Sequence, residues 1–96
     1  MGLLLFDQYT YLHFASGIIA FFWGISLSNW MMLHMFFELV ENTKAGLYFI
    51  NNFSFWPGGK PYKDSLMNIL GDNIGTLLGW LSALAVEKIA NKYKLY

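Results

Sequence analysis

The chain has 96 residues, 56% hydrophobic and only 12% charged, about half the charged share of ordinary soluble chains, so one domain over 1–96 with lipid as its solvent is expected. Six lysines and six acidic residues cancel and there is no arginine, which leaves no basic face for nucleic acid. The absence of cysteine excludes disulfides, thiolate catalysis and Cys-based metal sites.

From Phe14 to Phe37 there are 24 residues without Asp, Glu, Lys or Arg, more than the roughly 20 needed to cross a ~30 Å hydrocarbon core. One helix from Gln8 to Asn42 would be about 52 Å long at 1.5 Å per residue, too long to sit comfortably across a bilayer, so a break is expected. Gly24-Ile25-Ser26-Leu27-Ser28-Asn29 supplies it, with Ser28 or Asn29 able to cap the next helix. This gives a first helix over 8–25 and a second over 29–50, joined as a tight antiparallel hairpin.

Residues 51–63 hold both prolines and the Gly58-Gly59 pair, which predicts a loop whose aromatics sit at the membrane interface. A third helix follows over 64–92, with Asp72 the only charge between Ser65 and Val86. The expectation is an all-α integral membrane bundle of three transmembrane helices, in a bacterial inner membrane or a viral or organelle membrane. Lys88, Lys92 and Lys94 favour a cytoplasmic C-terminus, while Lys44, Lys60 and Lys63 on the other side oppose that bias.

Polar side chains lie on one face of each helix. In the second helix His34, Glu38, Glu41 and Asn42 fall within about 100° of one another on a 3.6-residue period. In the third, Asp64, Asn68, Gly71, Asp72, Gly75 and Gly79 share a face of about the same width. In the first, His13, Gly17, Ala20 and Gly24 form an imidazole followed by a small-residue seam of the kind that lets membrane helices approach closely. An acidic side chain at a helix centre costs roughly 2.5–3.5 kcal/mol on insertion, so these carboxylates need partners, a proton or an interface. Facing stripes would gather His13, Glu38, Glu41, Asn42, Asp64, Asn68 and Asp72 at one end of the bundle. Imidazole and carboxylate from facing helices can ligate a divalent metal, with His13, Glu38, Glu41 and Asp72 the expected ligands, and the same set could relay protons.

Plainer roles compete with these. Asp64 follows a Pro-Gly loop and can be only a helix N-cap. Glu41 can pair with Lys44, and Asn42, Asn68 and Asn73 can be interhelical hydrogen-bonding glue. His34 lies among Met and Phe, so His13 is the preferred imidazole. Gly58-Gly59-Lys60 lacks the spacing of a phosphate loop, Gly71-Asp72-Asn73-Ile74-Gly75 lacks the alternating acids of a calcium loop, and no serine has a readable His-acid arrangement beside it.

Tyr9-Thr10, His13, Gly17, then Phe37-Glu38-Leu39-Val40-Glu41-Asn42-Thr43, then Asp64-Ser65-Leu66-Met67-Asn68 and Asp72 together resemble an uncharacterised family of bacterial inner-membrane proteins. More loosely, His13-Phe14 with Asp64, Asn68 and Gly71 looks like the VanZ-like membrane superfamily. The family's Trp is Phe37 here, a second His is Ser16, the Gly before the Asp is Lys63, and its Arg-containing stretch is absent. The resemblance implies that His13, Glu38, Glu41, Asn42, Asp64, Asn68 and Asp72 are a polar signature, and it brings no activity with it. Two functions are therefore expected: a polytopic membrane protein with a buried polar site for a metal, a proton or a lipid headgroup, or an accessory subunit of a membrane complex or viral envelope. In the second, the stripe serves packing within a homo-oligomer or against a partner.

Overall fold

A computed structural model describes residues 5–55 and 64–94. Among these residues every regular element is helical: α1 (Thr10–Phe22), α2 (Leu27–Glu41), α3 (Lys44–Asn52) and α4 (Leu66–Tyr93). The all-α class is as expected, whereas the helix over 29–50 is divided in two.

The division is made by Asn42 and Thr43. Asn42 turns its amide back so that Nδ2 donates to the Glu38 carbonyl at 2.8 Å. Thr43 is extended (φ −82°, ψ 163°); its hydroxyl donates to the Val40 carbonyl at 2.6 Å and accepts from the Gly46 N–H at 3.1 Å. One side chain thus closes α2 and caps α3. Gly46 lies directly on the Val40 backbone, where a Cβ would collide with the carbonyl oxygen. Asn51 and Asn52, expected in the loop, are the last residues of α3, while 56–63, with both prolines and the Gly pair, lie outside the described residues.

The α1–α2 reversal is where the sequence places it. Gly24 adopts φ +79°, a left-handed value that a Cβ would strain. No other element comes within 4 Å of the position its Cβ would occupy, so Gly24 serves the turn and not the packing seam. The cap of α2 is Ser26, whose Oγ accepts from the Asn29 N–H at 3.3 Å, in place of Ser28 or Asn29. At α4 the cap is Ser65, accepting from the Asn68 N–H at 3.1 Å, and not Asp64.

α1 runs parallel to α4, since Thr10 meets Gly75 and Phe14 meets Gly79. Gly17 closes the same seam from the other side, lying against the backbone of Thr76 and Trp80. Along this line the two backbones approach so closely that a side chain at Gly17, Gly71 or Gly79 would collide with a carbonyl of the facing chain, the geometry small-residue faces exist to permit. α2 returns antiparallel to α4, with Trp30 beside Thr76, His34 beside Asn73 and Asn42 beside Asp64.

Lengths limit what can cross a bilayer. At 1.5 Å per residue α4 is about 42 Å long, against about 20 Å for α1 and 22 Å for α2. Among the described residues α4 is the one helix long and apolar enough to cross a membrane, and α1 is a shorter apolar helix.

The distribution of side chains is inverted relative to a water-soluble core. Among the described residues the buried hydrophobic ones are Ala20, Ile50 and Ala83, whereas His34, Glu38, Asn68, Asp72 and Thr76 are all buried. Phe22, Trp23, Met32, Phe36, Leu39 and Leu70 are each more than half exposed. Soluble chains seldom hide a carboxylate while displaying contiguous large apolar side chains.

Candidate functional site

Three helices each bring ionisable groups to one point. α1 contributes His13, one turn from its start, and α2 contributes His34 and Glu38 on consecutive turns of one face. α4 contributes Asp72, about 9 Å along its axis from Leu66, and its neighbour Asn73. Glu38 is 1% exposed, Asp72 3% and His34 4%, so these three groups are buried, while His13 keeps 16% of its side chain exposed.

His13 Nδ1 lies 2.8 Å from His34 Nε2 and 3.4 Å from Glu38 Oε1, and His34 Nε2 is 3.9 Å from the same carboxylate oxygen. The rings stand at 83° to each other with centroids 5.0 Å apart, which lets one nitrogen of each face the other. The distal nitrogens are also engaged. His13 Nε2 is 3.3 Å from Asp72 Oδ2, and His34 Nδ1 is 2.9 Å from Asn73 Oδ1.

These contacts determine where the protons sit. Asn73 donates Nδ2–H to the Ile69 carbonyl at 2.9 Å, so its oxygen faces His34 and the His34 Nδ1 must donate. When Asp72 is ionised its carboxylate accepts, and His13 Nε2 donates to it. The remaining nitrogens, His13 Nδ1 and His34 Nε2, then confront each other at 2.8 Å. Two bare lone pairs at that distance repel; a positive charge between them, shared with Glu38 Oε1, makes the arrangement stable.

Glu38 also reaches a second group. Carboxylate oxygens of Glu38, Glu41 and Asp64 lie within 4.8 Å of one another, and Asn42 Oδ1 accepts the Asp64 backbone N–H at 2.7 Å, tying the end of α2 to the entry of α4. Asn68 also ties α4 to the start of the chain: its Nδ2 donates to Asp7 Oδ2 at 3.2 Å. Asp7 in turn accepts from the Tyr9 N–H and donates its own N–H to Thr10 Oγ1, both at 2.9 Å, so this pair anchors the start of α1 on α4.

Beyond the imidazoles a relay of hydroxyls joins the helices. Trp30 donates Nε1–H to Thr76 Oγ1 at 2.8 Å, Thr76 lies 3.1 Å from Ser16 Oγ, and Ser16 donates to the His13 carbonyl at 2.6 Å. Because the Ser16 proton is committed to His13, the Thr76 hydroxyl donates to Ser16, and the relay runs from α2 through α4 to α1.

No family model, curated protein or solved structure matches this chain. The site is therefore read from its own geometry. Of the residues gathered by sequence pattern, His13, Glu38 and Asp72 meet at the centre, Glu41, Asn42 and Asp64 group around the end of α2, and Asn68 is bonded to Asp7. His34, passed over in favour of His13, is in direct contact with it. Its signal was the i, i+4 spacing to Glu38, which places both on one helix face. Asn73 and Thr76 had no such signal, because single amides and hydroxyls on a glycine-rich helix are common.

Proposed function

We propose that this chain is a small polytopic membrane protein whose working part is a buried imidazole–carboxylate centre that holds a cation, a proton or a metal ion, between α1, α2 and α4. The observation that carries the reading is the 2.8 Å approach of His13 Nδ1 to His34 Nε2 beside Glu38 Oε1, an arrangement that a positive charge stabilises when Asp72 is ionised. Membrane residence is supported by the inverted surface and by α4; α1 and α2, each shorter than a ~30 Å hydrocarbon core, insert as a hairpin against it. Intramembrane ionisable groups are costly to keep and mark ion or proton sites.

The alternative, an accessory subunit with a polar stripe turned toward a partner, fits less well. Its stripe would face outward, whereas Glu38, Asp72 and His34 are all less than 5% exposed within one chain.

Nitrogen NMR of histidine-labelled protein in detergent micelles tests the reading. In Glu38→Gln both imidazoles are expected to change their nitrogen shifts together while helicity is retained. Unchanged His13 and His34 signals in a folded Glu38→Gln protein would show that the three groups share no charge and would refute it.

A further inference from the structure

Resting on the cation-centre reading above, we propose that the resident cation is a divalent first-row transition metal, held by His13 Nδ1, His34 Nε2 and Glu38 Oε1. The three donor atoms form a triangle with sides of 2.8, 3.4 and 3.9 Å. A point close to their plane lies about 2.0 Å from all three, which is the length of a zinc–imidazole or zinc–carboxylate bond. Shortening the 3.9 Å side by about 0.6–1.0 Å brings the donors to the spacing of a tetrahedral or facial site. Two imidazoles and one carboxylate are the donor set that holds zinc in hydrolytic sites and iron(II) in oxygenases, with one or more positions left for water or another exchangeable ligand.

The outer contacts point the same way. Each ligating histidine must present a lone pair to the metal and donate its other N–H, usually to a carboxylate or carbonyl, which fixes the tautomer and ring orientation. Here His13 Nε2 meets Asp72 Oδ2 at 3.3 Å and His34 Nδ1 meets Asn73 Oδ1 at 2.9 Å. Asn73 is itself locked in that orientation by its bond to the Ile69 carbonyl. The charges also match a divalent ion: with neutral imidazoles, Glu38 and Asp72 supply two negative charges. A buried site tolerates a charged group only when it is compensated.

Cobalt(II) is the probe. Protein purified in detergent and stripped with a chelator is titrated with Co2+ and followed by visible absorption. The expected result is one equivalent bound, with strong d–d bands for a four-coordinate, zinc-like site or weak bands for a six-coordinate, iron-like one. Zn2+ should displace the signal. His34→Ala and Glu38→Gln should each abolish it. Asn73→Ala, which leaves every ligand in place, should weaken binding about 10–100-fold, and Asn73→Asp should restore it. Helicity by circular dichroism accompanies each variant, and the wild-type and Asn73 titrations stand even if a ligand variant misfolds. A folded wild-type protein that takes up no Co2+ or Zn2+, or uptake unchanged in His34→Ala, overturns the metal assignment. The nitrogen NMR experiment on metal-free Glu38→Gln separates that failure from failure of the cation centre itself, since a shared proton would still couple the two imidazoles.

Discussion

Thr76→Val probes the hydroxyl relay with little change of shape. Thr76 is fully buried, and valine replaces its hydroxyl by a methyl group, so no cavity opens. What is lost is the acceptor for the Trp30 Nε1–H at 2.8 Å and the contact to Ser16 at 3.1 Å. Ser16 keeps its own bond to the His13 carbonyl and loses little. The indole N–H is left stranded, and a buried unsatisfied donor costs about 1–3 kcal/mol. Interhelical hydrogen bonds measured in a bilayer-like setting average nearer 0.6 and reach about 1.7 kcal/mol, because the unfolded chain also finds partners there. The two bounds overlap at about 1–2 kcal/mol, the expected destabilisation. The assay is reversible unfolding in mixed micelles with increasing sodium dodecyl sulfate, followed by helical circular dichroism. Trp30→Phe and the double variant complete a cycle, whose coupling should be about 0.5–1.5 kcal/mol. A Thr76→Val protein as stable as wild type, with strictly additive double-variant energies, would refute the relay.

In the same assay Gly79→Leu should cost more than about 2 kcal/mol, because its Cβ lands on the Phe14 carbonyl and backbone cannot rotate aside. Gly24→Ala should cost only about 1 kcal/mol, from strain at φ +79°; equal losses for the two would mean the seam is not tightly packed. Thr43→Ala should destabilise α3 by about 1 kcal/mol, read as faster amide exchange at Gly46, whose N–H the Thr43 hydroxyl accepts. Asn42→Ala should release the Asp64 N–H, and faster exchange at Asp64 with α2 intact is the expected signature.

The helical class, the hairpin turn and the glycine seam are legible in the sequence because each rests on a local or periodic rule. Gly24 to Asn29 reads as a break whatever surrounds it, and Gly71, Gly75 and Gly79 recur at the i, i+4 spacing that lines one helix face. The α2–α3 boundary is not legible by hydrophobicity, since the apolar run continues through Leu47 to Ile50; Thr43 and Gly46 carry it, and Thr-Lys-Ala-Gly is a weak cap signal. At the site, the inward direction of Glu38 and Asp72 follows from their apolar surroundings. The choice between His13 and His34 does not, because it depends on the rotation of α1 against α2, set by glycine contacts on α4. Asp64 is displaced as cap because α4 begins at Leu66, which puts Ser65 in the extended cap position with its Oγ on the Asn68 N–H.

The centre's groups are spread unevenly along the chain. His13 precedes Glu38 by 25 residues, while Asp72 and Asn73 follow it by more than 30. During synthesis α2 therefore emerges with one imidazole already behind it and another, His34, on its own face. A hairpin of α1 and α2 can offset much of the roughly 2.5–3.5 kcal/mol that a lone carboxylate costs on entering lipid before α4 exists. Under the proposed function, translation therefore brings both imidazoles to Glu38 first, and the centre is completed last, when α4 delivers Asp72 and Asn73 and packs along α1.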